Sequence, residues 1–251
     1  MSRRRFYAPP ANFNADSTSI SLQADEARHL REALRLKPGE EVYVFDGAGK
    51  EFQCEIEEVR RDSARLKVLA EVDPAKPESP LVLTLAVALL KSDKFDLAVQ
   101  KATELGVVRV VPVMTHLADI RLRDESDAGK RIARWQRIAM EAAKQCGRAL
   151  VPEVASPVPF TAFVHTAALA DHWRVMFSER EGESLSILED VALPQSITAL
   201  VGSEGGWTDE ELEQARAASW NIVTLGGRVL RAETAAITAT ALLQHRFGDL
   251  K

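Results

Sequence analysis

Apolar residues follow two different rhythms on either side of a proline-rich break. In the first seventy residues the rhythm is period two, the signature of half-buried strands. Val42 and Val44 precede the turn Asp46-Gly47-Ala48-Gly49, and Phe52, Cys54 and Ile56 follow it, which predicts a β-hairpin. Ala64, Leu66, Val68 and Ala70 add an alternating strand, with further strands expected at Arg3–Tyr7 and Ser19–Leu22. Asp25–Leu36 reads as a short helix with Leu30, Ala33 and Leu34 on one side, stopped by Lys37-Pro38-Gly39. The expectation is a small β-barrel over residues 1–72. Pro74, Pro77 and Pro80 mark residues 73–80 as a linker, and 81–251 as a second domain.

Beyond Leu81 strands alternate with helices, which predicts an α/β domain with a parallel sheet. Leu81–Leu89 and Val107–Val113 read as buried strands flanking a helix from Ser92 to Leu105, with Phe95, Val99, Ala102 and Leu105 at helical spacing. A long amphipathic helix over Gly129–Arg148, a shorter one over Val158–Ala168 and a strand at Val175–Phe177 follow. Then one pattern occurs twice. Ile197–Val201 runs into Gly202-Ser203-Glu204-Gly205-Gly206-Trp207 and a helix. Asn221–Leu225 runs into Gly226-Gly227-Arg228-Val229-Leu230-Arg231 and a helix reaching Leu243. Ligands of open α/β sheets collect where such loops gather. Neither loop is G-x-G-x-x-G or a P-loop, so on glycine content alone both also read as ordinary strand–helix turns. Thr208 and Glu211 are spaced as a capping box, which gives them a structural role.

Composition narrows the class without naming a chemistry. With 251 residues, 46% hydrophobic and 27% charged, the chain is of ordinary globular type. Its longest apolar run, Leu81–Leu90, is too short to span a bilayer, and the basic residues 1–10 lack the apolar stretch of a signal peptide. Cys54 and Cys146 stand apart without C-x-x-C pairing, and the five histidines show no ligand spacing, so neither a metal nor a disulfide is expected and a cytoplasmic location fits. The net charge of −5 rules out a uniformly basic surface but not a local one. Lys130, Arg131, Arg134, Arg137, Lys144 and Arg148 face the single acid Glu141 along the long helix, a candidate phosphate-binding face that reads equally as a solvated one. Lysines 91, 94 and 101 around the preceding helix read first as solvated.

LVGSEGGWTDEELEQA followed by TLGGRVLRAETAAITATALL resembles the carboxyl-terminal signature of the bacterial 16S ribosomal RNA (uracil-N3)-methyltransferases, SPOUT-class enzymes that use S-adenosylmethionine. EARHLREALRLKPGEEVYVFDG, KSDKFDLAVQKATELGV and EAAKQCGR are similar to further blocks of that family, so the resemblance covers nearly the whole chain. It implies an amino-terminal PUA-like RNA-binding domain, a carboxyl-terminal trefoil knot against the general rule that chains avoid knots, a homodimer, and 16S ribosomal RNA or the small subunit as partner. By position it implies cofactor contacts at Ser178, Glu179, Val201, Gly202, Glu204, Gly205, Leu225, Gly226, Val229 and Leu230. It likewise implies RNA contacts at Arg5, His29, Arg31, Arg35, Lys91, Lys101, Gln145 and Arg148, with Gln100 and Glu104 nearby. Ser203 stands where relatives usually have proline, which implies a looser loop.

Methylating uracil N3 requires loss of an imide proton and stabilisation of charge spreading onto O2 and O4. Arginine suits the second task, being permanently charged with several coplanar donors, and for the same reason is a poor base. Arg231 is the candidate facing the base, with Arg228 and Glu233 shaping the loop and Thr234 available to hydrogen-bond. Glu204 and Glu233 are the carboxylates well placed to take the proton, with hydroxide or phosphate assistance as alternatives. Two other functions remain open: RNA 2′-O-ribose methylation, and a non-catalytic RNA-binding ribosome-assembly role.

Overall fold

A computed structural model describes residues 3–91, 93–166, 172–188 and 194–251, and it divides into two units. The first holds residues 1–78 together with 140–151, the second 79–139 with 152–251. The boundary near residue 78 falls in the expected linker. The inclusion of 140–151 departs from the contiguous second domain that the sequence predicts.

In the first unit the period-two stretches form an open five-stranded sheet in the order β1-β3-β4-β5-β2. The strands are β1 (Arg5–Tyr7), β2 (Ser19–Leu22), β3 (Glu41–Phe45), β4 (Glu51–Val59) and β5 (Ala64–Val72). β1 pairs parallel to β3, and the remaining neighbours are antiparallel. With β1 only three residues long and pairing only β3, the small barrel expected is a half-barrel. Its inner positions, Val42, Val44, Cys54, Ile56 and Leu66 among them, close a core with Phe6, Ile20, Leu22 and Leu30. Burial pushes the Cys54 thiol up to about 12, which leaves it a packing residue. The helix expected over residues 25–36 is α1 (Ala24–Arg28), continued by one π-helical turn at His29–Ala33.

Residues 140–151 join this unit through buried charge. Glu51 is fully buried and accepts from Arg3, from Arg5 and from the Ala75 N–H at 2.9 Å. The rest of the Arg5 guanidinium donates to the carbonyls of Ala143, Lys144 and Arg148, the carboxyl end of the long helix, where free carbonyls favour a cation. Lys144 pairs with Glu26 at 2.7 Å and Arg148 with Glu78 at 2.7 Å. No hydrophobic period announces such contacts, which is why the sequence places this segment with its chain neighbours.

The second unit is built on an all-parallel sheet in the order β11-β13-β10-β12-β6-β7-β8, with β9 also pairing β7. Its strands are β6 (Val82–Ala88), β7 (Arg109–Met114), β8 (Glu153–Val154), β9 (Val158–Pro159), β10 (His172–Phe177), β11 (Glu183–Ser184), β12 (Ser196–Val201) and β13 (Asn221–Thr224). The helices are α2 (Lys94–Glu104), α3 (Glu125–Cys146, whose last residues belong to the first unit), α4 (Phe160–Val164), α5 (Asp209–Ala217) and α6 (Ala232–Phe247). α4 is much shorter than expected, because Val158 and Pro159 are drawn into the sheet and proline starts the helix at Phe160. Residues 92 and 167–168, which the sequence assigns to helices, lie outside the described residues. One apolar layer of this sheet holds Ala86, Val113, Met176 and Leu200 with Trp207, Leu212 and Trp220. No described helix is long and apolar enough to cross a membrane.

Candidate functional site: a cleft where three strands end

Register places the site. Phe177 of β10 lies opposite Val201 of β12 on one side and Val223 of β13 on the other. Three neighbouring strands therefore end on one line, and the loops that leave them stand side by side, as expected at the carboxyl edge of a parallel sheet. The loops enclose an open cleft with about 700 Å³ of empty space, open mouth included. All ten residues marked from sequence as cofactor contacts line it: Ser178 and Glu179 after β10, Val201, Gly202, Glu204 and Gly205 after β12, and Leu225, Gly226, Val229 and Leu230 after β13. Arg228 and the first turn of α6, Ala232 and Ala235, complete the wall.

Trp207, which the sequence did not single out, organises these loops. It is 2% exposed, packs on Phe160 and donates its indole N–H to the Phe177 carbonyl at 2.8 Å. That bond ties the β12 loop to the end of β10. Gly202 lies under the indole, where a Cβ would stand 3.1 Å from Cε2, so the glycine is needed for close approach. Gly206 has φ +71° and abuts the Glu179 carboxylate, which excludes a side chain twice over. The signal for Trp207 was present in the sequence: a tryptophan directly after a glycine turn is rarely left in water.

Ser203 answers the question its position raised. Its hydroxyl accepts from the Gly205 N–H at 3.3 Å, its carbonyl accepts from the Gly206 N–H at 3.0 Å, and it is buried. The turn is held by hydrogen bonds instead of a proline ring. Thr208 and Glu211 form the reciprocal capping box, and Glu211 also accepts from the His116 N–H at 2.9 Å.

Arg231 is the N-cap residue of α6, set between the lining residues Leu230 and Ala232, and is exposed. Its guanidinium makes no hydrogen bond or ion pair with any described residue. Arg228 is likewise exposed. Glu233 lies one turn into α6 with a 12% exposed side chain. Glu204 is joined to Lys94 at 2.8 Å. Burial works to raise the Glu204 carboxyl, but the Lys94 hydrogen bond, its own backbone N–H and the charges of Lys94 and Lys91 hold it below the usual carboxylate range.

The residues marked for RNA divide into two sets. Arg5 and Arg148 are held in the ion-pair system of the first unit with side chains 7% and 5% exposed, and Arg5 also lines an open groove there. His29 and Arg35 are exposed, and Arg31 is half-occupied by the Arg61 carbonyl at 2.7 Å. Gln145 lines an open groove in the first unit with Arg3, Arg4, His29, Lys76 and Lys144. In the second unit Lys91 pairs with Asp119 and Lys101 with Glu104 at 2.8 Å. Along α3, Arg131 is paired with Asp127 and Arg134 with Asp96, whereas Lys130 and Arg137 are exposed and form no ion pair among the described residues.

A chain that holds an α/β unit with a main-chain cleft at the end of a parallel sheet, and a β-rich unit carrying exposed arginines, has the parts of an enzyme with an appended nucleic-acid-binding domain. Comparison with known proteins agrees: residues 77–244 match the RNA methyltransferase domain family and residues 22–69 the RNA methyltransferase PUA domain. The ribosomal RNA small subunit methyltransferase E of Synechocystis is 32% identical over 89% of this chain and 72% of its own length. The Neisseria gonorrhoeae protein of the same name, solved bound to S-adenosyl methionine, is 34% identical with a TM-score of 0.87 over all of both chains. A Legionella pneumophila methyltransferase solved with bound SAM is 30% identical with a TM-score of 0.88, again over both whole chains. The chain belongs to the family of the ribosomal RNA small subunit methyltransferases E, a SPOUT-class family with a PUA-like amino-terminal domain.

Proposed function

We propose that this chain transfers a methyl group from S-adenosylmethionine to N3 of a uridine in 16S ribosomal RNA. The observation that carries the reading is the in-register ending of β10, β12 and β13, which forms an open cleft with an unpaired arginine at its edge. The cofactor supplies an electrophilic methyl on a sulfonium. Backbone N–H and carbonyl groups of the three loops hold its adenine, ribose and methionine parts, and the carboxylates of Glu179 and Glu204 in the cleft wall favour its positive charge. The relatives solved with this cofactor support the assignment.

Arg231 meets the uracil. Its donors stabilise negative charge on O2 and O4 as the N3 proton leaves, and most of the acceleration comes from this and from alignment of N3 with the methyl carbon. His29, Arg31 and Arg35 of the first unit and Lys130 and Arg137 of α3 hold RNA phosphates, with Gln145 in the basic groove. Lys91 and Lys101 exchange their carboxylate partners for phosphate when RNA binds. The chain acts as a homodimer in the cytoplasm. Val229, 80% exposed in the cleft wall, and Leu242, 36% exposed on α6, support a partner subunit covering this side. The trefoil knot belongs to the same reading: β13 lies across β10 from β12, so the chain returns past a strand it has already placed.

The test is transfer of tritiated methyl to naked small-subunit RNA and to assembled subunits, followed by digestion to nucleosides. N3-methyluridine is expected. A 2′-O-methylated nucleoside would replace the reaction assigned here, and failure to bind S-adenosylmethionine in calorimetry would leave a non-catalytic RNA-binding protein.

A further inference from the structure

Lys94, which reads from sequence as one solvated lysine among three, is placed between the two halves of the site. From the first turn of α2 its Nζ reaches Glu204 Oε1 of the cleft loop at 2.8 Å and stands 3.8 Å from Glu233 Oε2 on the first turn of α6. The first is a hydrogen bond; the second is too long to be one. Glu233 Oε2 is buried and has no hydrogen-bond partner among the described residues. A buried carboxylate oxygen in that state depends on a neighbouring cation to remain charged. The charged groups acting on Lys94 are Glu204, Glu233 and Arg231, and Lys91 acts on Glu204. Of the cations, Lys94 is the one that forms an ion pair with Glu233. The hydrogen bond to Glu204 and the two carboxylate charges keep the Lys94 ammonium above its ordinary range despite Arg231, so the lysine is a fixed positive charge at any working pH.

We propose that Lys94 is a positioning residue for methyl transfer: its single charge, shared between Glu204 and Glu233, locks the β12 loop to the start of α6 and so sets Arg231 against the cleft. Arg231 and Glu233 are two residues apart at the start of one helix, so a shift of Glu233 carries Arg231 with it. Glu204 lies in the cleft wall, so the same shift changes where the cofactor and Arg231 stand relative to each other. The inference rests on methyl transfer being the reaction of this cleft, but part of its test does not.

In Lys94→Met, Glu233 loses its ion-pair partner and the β12 loop loses its tie to the start of α6. With tritiated S-adenosylmethionine and small-subunit RNA, kcat is expected to fall at least tenfold at neutral pH. The dissociation constant of S-adenosylhomocysteine should stay within about threefold. Lys94→Arg, which keeps the charge, should restore most of the rate. Independently of activity, Lys94→Met should lower the melting temperature above pH 7, and adding Glu233→Gln should recover part of that loss, because the uncompensated charge is then gone. Should Lys94→Met be too unstable to assay, Lys94→Gln is read in the same way. The proposal is overturned if the rate is unchanged, if cofactor affinity falls as far as kcat, or if the two substitutions are additive in melting temperature. Absence of methyl transfer by the unmodified chain would count against the reaction proposed above, and the melting-temperature cycle would still decide the role of Lys94.

Discussion

Replacing Trp207 with phenylalanine isolates the bond that holds the cleft loops together. The substitution keeps an aromatic ring against Phe160 but removes the indole N–H that reaches the Phe177 carbonyl at 2.8 Å. It also empties the space over Gly202, where the indole edge makes its closest approach. Losing a donor to a buried acceptor costs about 1–3 kcal/mol, and the vacated volume adds a smaller cavity term. In a chain of this length each kcal/mol lowers the melting temperature by about 2–4 °C. A fall of roughly 4–8 °C is therefore expected, taking about 2 kcal/mol as the centre of that range.

The consequence for function follows from what the bond joins. It connects the loop holding Gly202, Glu204 and Gly205 to the end of β10, from which Ser178 and Glu179 project into the same cleft. If about half of the lost energy, about 1 kcal/mol, had held the loops ready for the cofactor, affinity for S-adenosylmethionine falls roughly fivefold. Calorimetry with S-adenosylhomocysteine alongside a thermal melt measures both. A melt lowered as expected with unchanged affinity would refute the claim that Trp207 organises the cleft and reduce it to a core residue. An unchanged melt would refute the bond itself.

Arg231→Ala should leave the melt and cofactor affinity nearly unchanged and lower kcat about 100-fold or more, the scale for removing a donor at developing charge; retained turnover in the methyl-transfer assay would remove Arg231 from the reaction. Arg5→Ala should lower stability by about 1–3 kcal/mol, because it takes one of two arginines from fully buried Glu51 and the donor from the carbonyls of Lys144 and Arg148, while Arg3 and the Ala75 N–H stay on the carboxylate. Arg35→Ala should leave stability unchanged and weaken RNA binding, so the pair, compared by melt and by filter binding, separates buried from offered arginines. For Lys130 and Arg137, a double glutamine substitution should reduce the slope of log affinity against log salt by about 1.4–1.8. His172 bonds Ser196 and Thr198, and burial and then the charge of Arg174 lower its pKa below the usual 6.5. Its contribution to stability is then complete above pH 6.5 and is lost as pH falls through the folded value, so His172→Gln should flatten that part of a stability–pH curve.

The strands and glycine loops were legible because hydrophobic rhythm and turn chemistry are local. The capping box at Thr208 was readable from two residues three apart, and the structure has it. The ten lining residues were marked through resemblance; periodicity could not have chosen them, since the cleft exists only through the register of β10 with β12 and β13. What escaped the sequence were interactions between residues far apart in the chain. Arg5 was marked for RNA through resemblance, and its ion pair was not legible in the chain. Its partner, Glu51, is one acid among many until the sheet places it 3.1 Å away. Lys94 was passed over for the same reason, its carboxylates lying 110 and 139 positions further along.

Charge, more than apolar burial, separates the two kinds of basic residue in this protein. Arginines 3, 5 and 148 neutralise Glu51 and Glu78 and hold residues 140–151 to the first unit. Arg35, Lys130, Arg137, Arg228 and Arg231 have no anionic partner among the described residues. An acidic chain with net charge −5 has enough carboxylates to pair every cation, so those left unpaired stand out against that background. Of these, Arg228 lines the cleft and Arg231 follows its lining residue Leu230, which under the function proposed above leaves two free guanidinium groups for an anionic substrate there. The same logic accounts for the acids that remain charged at the cleft. Glu179 and Glu204 line the cleft, and Lys94 offsets the charge of Glu204 and Glu233 beside it.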